Sequence, residues 1–114
     1  MLAGNRRNWI RKVALLHAAF LETSDETTLI KAVRNAATIG DHIPNTEADA
    51  YCQVVDELTI MIQRLAESGR TELAKKLAAI AIEAGDTSAE QIQDGDYWQM
   101  SVDDLRKMAD QIKP

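Results

Sequence analysis

The sequence predicts an all-α fold, a small bundle of about five helices in which the third and fourth form an antiparallel hairpin. Alanine supplies 17 of the 114 residues, whereas aromatics number five and prolines two. Apolar residues recur at spacings of three and four, and strand-like alternation is absent. The polar breaks between periodic stretches carry capping residues and glycines. With 46% hydrophobic and 27% charged residues, residues 1–114 read as a single helical domain. A chain of this size buries roughly two-thirds of the surface its unfolded state exposes.

The first helix is predicted over residues 5–22. Trp9, Val13, Leu16 and Phe20 form one stripe, with Ile10, Ala14, His17 and Leu21 beside it, so this helix is expected to be substantially buried. Arg6, Arg7, Arg11 and Lys12 crowd its first turns, where the macrodipole disfavours cations by about 0.3–1 kcal/mol each. Thr23 or Ser24 is expected to cap the second helix, which buries Leu29, Ile30, Val33, Ala36 and Ala37 and ends at Gly40. The loop at residues 41–45 follows. Pro44 biases Ile43 away from helix, and Asn45 or Thr46 can cap what comes next.

Residues 49–68 form the longest helical run without Gly or Pro, and the bundle is expected to be organised around it. Tyr51, Val55, Leu58, Ile62 and Leu65 make its stripe, widened by Val54 and Met61. Its opposite face carries Gln53, Asp56, Gln63, Arg64 and Glu67, and also Ile60, an apolar residue where water is expected. Gly69 and Arg70 leave a connection so short that the fourth helix, capped by Thr71, must fold back on the third. That fourth helix turns Leu73, Leu77, Ile80 and Ala81 inward. From Gly85 the pattern weakens, and residues 86–96 read mostly as loop. Ser101 starts a last helix over residues 102–112, with Tyr97 and Trp98 before it as hydrophobic plugs.

Net charge is −5 and the pI is near 4.9. Nucleic acid is therefore disfavoured as a partner, because phosphate binding rests on cation contacts. The one cysteine, Cys52, cannot form an intrachain disulfide, which suits a reducing compartment; on a helix flank among apolar neighbours it reads as a small buried hydrophobe. The stretch after Arg11 and Lys12, VALLHAAFL, has the look of a secretory signal but holds a histidine, lasts nine residues and lacks a small-x-small cleavage site. A cytoplasmic protein is expected. No segment approaches the ~20 apolar residues needed to span a bilayer.

Arg11 and His17, in RKVALLH, fit an Arg-x(4–6)-His pattern that resembles the helical HEPN-type ribonucleases, in which such a pair lies at a dimer cleft. Lys12 departs from the polar amide or acid frequent after that arginine. The alternative for His17 is an ordinary boundary residue on an apolar stripe. Ala81, Gly85 and Ile92 resemble a helix-turn-helix, but Glu90 and Asp94 would repel phosphates from the supposed reading helix. RRNWIRK combines cations with Trp9, a pairing suited to nucleic acid or anionic lipid, or simply to a solvated helix start. Metal ligands are poorly supplied: Asp41, His42 and Cys52 lack any ligand spacing. Neither a phosphate loop nor a nucleophile elbow occurs.

No enzyme activity, catalytic set, cofactor or metal is therefore expected. The function expected is that of a small acidic protein-binding factor, regulatory or inhibitory in the manner of immunity proteins and antitoxins, with a partner that is another protein of basic character. The expected contacts are Asp56, Ile60, Gln63 and Glu67 on the third helix, and Glu90, Asp94, Asp96 and Trp98 in the acidic segment. Ile60, Ile82 and Trp98 look misplaced for a monomer. The alternatives are a nucleic-acid-binding regulator using the basic first helix, a HEPN-like ribonuclease, or a self-associating bundle with Ile60 at a homodimer interface.

Overall fold

A computed structural model of the chain describes residues 2–22, 25–39, 45–92 and 96–112, with side chains of residues 2–8 and 45–49 left aside. Among the described residues there are five α-helices: α1 (Leu2–Glu22), α2 (Glu26–Ala36), α3 (Asn45–Glu67), α4 (Thr71–Ala89) and α5 (Asp96–Gln111). No strand occurs among the described residues. The expected all-α bundle is the observed one.

Helix α3 is the hub, packing against all four other helices. Its stripe explains why: Val54, Val55, Leu58 and Ile62 are fully buried, and Tyr51 and Met61 nearly so. Lys12 meets Tyr51 and His17 meets Glu57, so positions advance together and α1 runs in the same direction as α3. The same logic makes α4 antiparallel to α5, because Gly85 meets Trp98 while Thr71 and Gln111 border one groove at the other end. Helices α1, α3 and α5 thus form one layer running one way, and α2 and α4 a second layer running back.

The hairpin between α3 and α4 is closed by a Schellman motif. Arg70 N donates to Leu65 O at 3.2 Å and Gly69 N to Ala66 O at 3.0 Å, which satisfies carbonyls the helix end would leave open. Gly69 sits at φ +100, a left-handed conformation that other residues adopt at a cost. Thr71 is the first residue of α4 rather than its cap; the capping position belongs to Arg70 and carries no side-chain bond.

Three other boundaries differ from expectation. The cap of α2 is Asp25, whose carboxylate accepts from Thr28 N at 3.3 Å and Thr28 Oγ1 at 2.7 Å; Thr23 and Ser24 lie outside the described residues. The Thr28 hydroxyl holds the Asp25 carboxyl below its ordinary range. Helix α2 ends at Ala36, short of Gly40, which lies outside the described residues together with residues 41–44. Helix α3 begins at Asn45, inside the stretch expected to cap it.

The largest correction concerns residues 85–101. Gly85 does not weaken α4, which continues to Ala89, and α5 starts at Asp96, six residues before the expected position. Gly85 is buried where α5 crosses: a Cβ there would meet Val102 Cγ2 at 2.8 Å. The glycine's helix penalty is accepted in exchange for close approach. Because the helix is continuous, no turn exists for a helix-turn-helix at this point.

Polar bonds tie the layers together. Buried Ser88 Oγ accepts from Ile39 N at 3.1 Å and donates to Ala37 O at 3.2 Å, fixing the end of α2 to α4. Lys76 pairs with Glu26 at 2.5 Å. Arg106 joins Asp86 at 2.5 Å and Asp103 at 2.9 Å, and the Asp86 bond raises the guanidinium above its ordinary value. No helix among the described residues is long and apolar enough to cross a membrane.

Candidate functional site

Asp56, Ile60, Gln63 and Glu67 occur at spacings of four, three and four, so they share one side of α3. All four are exposed, Ile60 at 41%. This side looks out from the middle of the α1, α3 and α5 layer, where neither neighbour covers it.

Helix α1, which packs beside α3, is less buried than its sequence predicts. Its first stripe packs as expected, with Leu16 buried and Trp9, Val13 and Phe20 partly so. The second stripe does not: Ile10, Ala14 and Leu21 are exposed, Leu21 at 80%. The reason is a shortage of neighbours, since α1 touches only α2 and α3. His17, between Ala14 and Leu21 on this stripe, faces α3 with Nε2 3.3 Å from Glu57 Oε2. Leu21 lies one turn beyond His17 and Ile60 one turn beyond Glu57, so both flank this contact. The signal was available in the sequence as an apolar face wider than two packing partners can cover.

On the far side of Ile60, α3 and α5 enclose a groove of about 320 Å³. Ala66, Met108 and Ile112 provide apolar walls, while Gln63, Glu67 and Gln111 stand around them. Tyr97 and Asp104 precede Gln111 by fourteen and seven residues, so they continue the flank of α5 that borders α3. Both are exposed, Tyr97 at 59%. Tyr97 is therefore not the plug it was expected to be.

Trp98 packs as the hydrophobic plug expected of it and is not the surface contact also expected of it. It is 0% exposed, and its indole N–H donates to Gly85 O at 2.8 Å inside the α4–α5 contact. Having a carbonyl partner in the core, it has no polar reason to reach water. Ile82 is half-buried against the core and is not misplaced either. Glu90 and Asp96 are exposed at the end of α4 and the start of α5. Asp94 lies outside the described residues.

Within the basic cluster the two described cations part, Arg11 staying exposed and Lys12 turning toward the fold. Arg6 and Arg7 belong to side chains left aside, and Lys12 turns inward. Its ammonium donates to Asn35 O at 2.8 Å and to Thr38 O, and stands 5.5 Å from the centre of the Tyr51 ring. These carbonyls end α2, where a cation is favourable; burial nevertheless lowers the Lys12 pKa from its ordinary value. Arg11 is exposed beside Lys12, bordering a cavity of about 400 Å³ at the end of α2. His17 faces α3 instead. The two residues of the ribonuclease-like pattern therefore point to different sides of α1.

Cys52 is buried in the core, as its apolar neighbours suggest. Among the described residues no group of three or more His, Cys, Asp or Glu could hold a metal ion; Asp41 and His42 lie outside them. The chain matches no protein-family model, no curated protein and no solved structure.

Proposed function

We propose that this protein binds another protein through the outer face of the α1, α3 and α5 layer and acts as a small acidic regulatory or inhibitory factor, of the immunity or antitoxin kind. The observation that carries the reading is that two exposed aliphatic residues, Leu21 and Ile60, each follow by one helical turn the His17–Glu57 contact that joins α1 to α3, with Asp56, Gln63 and Glu67 on the same side of α3 as Ile60. An apolar centre with a polar rim is the anatomy of a protein interface.

Charge selects the partner. The net charge of −5, with Asp56, Glu67 and Asp104 against the cation Arg64 among the described residues of this face, steers association with a basic protein. A second copy would bring like-charged rims together, which favours an unlike partner over a homodimer. Lys12, whose ammonium is engaged by the carbonyls that end α2, is withdrawn from the cluster that a nucleic-acid reading would use. A lone buried cysteine accords with a cytoplasmic location.

The test is a photo-cross-linking residue placed at Asp56 or Gln63 in cells of the native host, with Ala79 on the outer side of α4 as control. A discrete cross-linked species from the α3 positions and none from Ala79 is expected, and Ile60→Glu should remove it without loss of folding. Cross-linking of equal strength from Ala79 would sink the reading. So would a cooperative stability loss of several kcal/mol in Ile60→Glu, the mark of an ordinary core position.

A further inference from the structure

We infer that the groove between α3 and α5 receives an arginine side chain of the partner; this rests on the protein-binding reading above and names the chemistry at one end of that surface. The groove has a volume of about 320 Å³ and an apolar floor of Ala66, Met108 and Ile112. Around the floor stand Gln63, Glu67 and Gln111. Each of these side chains offers an acceptor oxygen, and Glu67 offers a charge. No lysine or arginine among the described residues lines it.

A guest that suits such a site has an aliphatic stem and a cationic, multiply donating head. Lysine and arginine both qualify by that criterion. Arginine is the better fit, because a planar guanidinium can donate to the Glu67 carboxylate and to an amide oxygen at once and is less strongly hydrated than an ammonium.

The groove is also in register with the apolar centre. Ile60, Gln63 and Glu67 lie on one stripe of α3, and seven residues of helix span roughly 10 Å. A partner helix laid along α3 would cover Ile60 with an apolar residue and reach Glu67 with an arginine two turns away. The recognised element is thus an amphipathic basic helix carrying those two residues at i and i+7.

The experiment titrates the full chain, observed by amide NMR, with N-acetyl-arginine amide and separately with N-acetyl-citrulline amide, its uncharged isostere. Arginine should shift the amides of Gln63, Glu67 and Gln111 saturably. Citrulline should bind more weakly by up to about fivefold, the upper range for one exposed charge pair. Glu67→Gln, with an otherwise unchanged spectrum, should reduce arginine to the citrulline level.

Equal responses to the two probes, indifference to Glu67→Gln, or shifts only elsewhere would overturn the inference, while the protein-binding reading would stand on its own cross-links. Arginine binding in the groove together with cross-links insensitive to Ile60→Glu would overturn the assignment of that arginine to a partner.

Discussion

The indole N–H of Trp98 donates to the backbone carbonyl of Gly85 at 2.8 Å, and the same glycine leaves only 2.8 Å between a Cβ and Val102 Cγ2. One backbone position thus serves two residues of α5. Gly85→Ala would gain up to about 1 kcal/mol of helix propensity. Overpacking a fully buried, β-branched Val102 costs about 1–3 kcal/mol, because its rotamer has little freedom. With the full propensity gain, a net loss of up to about 2 kcal/mol is expected in urea unfolding. Val102→Ala in the same chain makes room for the methyl, so the double variant should lose less than the sum of the two.

Ser88 is a second buried device. Its hydroxyl accepts from Ile39 N and donates to Ala37 O, both in the segment that leaves α2. Ser88→Ala leaves a buried N–H and a buried carbonyl without this partner, a loss of about 1–3 kcal/mol. Hydrogen exchange provides the site-specific check: the Ile39 amide should lose protection well beyond the global change. Unaltered protection there would show that water replaces the hydroxyl.

These two contacts mark the limit of what the sequence discloses. The hub and the hairpin were legible because an uninterrupted apolar period and a two-residue break at Gly69 and Arg70 are local signals. So was the outward position of Ile60. Gly85 was read as a break because a helical glycine is unfavourable locally; only the crossing of α5 explains it. From the sequence Trp98 fits both a plug and a surface contact, because no sequence pattern says whether an indole finds a carbonyl in the core. The breadth of the apolar face of α1 was read as burial, yet burial depends on how many helices arrive to cover it. Read locally, Lys12 opposes the dipole of its own helix; in the fold it meets the carbonyl end of another.

Lys12 allows a test with a pH signature. Burial lowers its pKa from the ordinary 10.5, so between the folded and unfolded values the unfolded chain binds more protons. Stability then rises with pH through that window, and below it the burial penalty of the charge remains in full. Lys12→Met keeps the stem and removes the donor to Asn35 O and Thr38 O. It should lose about 1 kcal/mol at pH 7. The gap between the native chain and this variant should widen as pH climbs toward 10.5, since only the native chain gains in that range. A gap that narrows would mean the charged form of Lys12 is the one the fold prefers.

Leu21 and Ile60 separate a surface role from a packing role. Leu21 is 80% exposed and Ile60 41%, so Leu21→Gln removes little buried area and Ile60→Gln somewhat more. Substitutions at such positions usually stay within about 0.5 kcal/mol. If the two residues form one apolar centre for a partner, each glutamine should weaken cross-linking from Asp56 or Gln63, and the double variant should be no more severe than the stronger single one. Interface centres behave this way because truncating one residue already admits water to the other. Strictly additive losses would instead indicate two separate contacts. Full cross-linking in Leu21→Gln would confine the interface to α3 and α5.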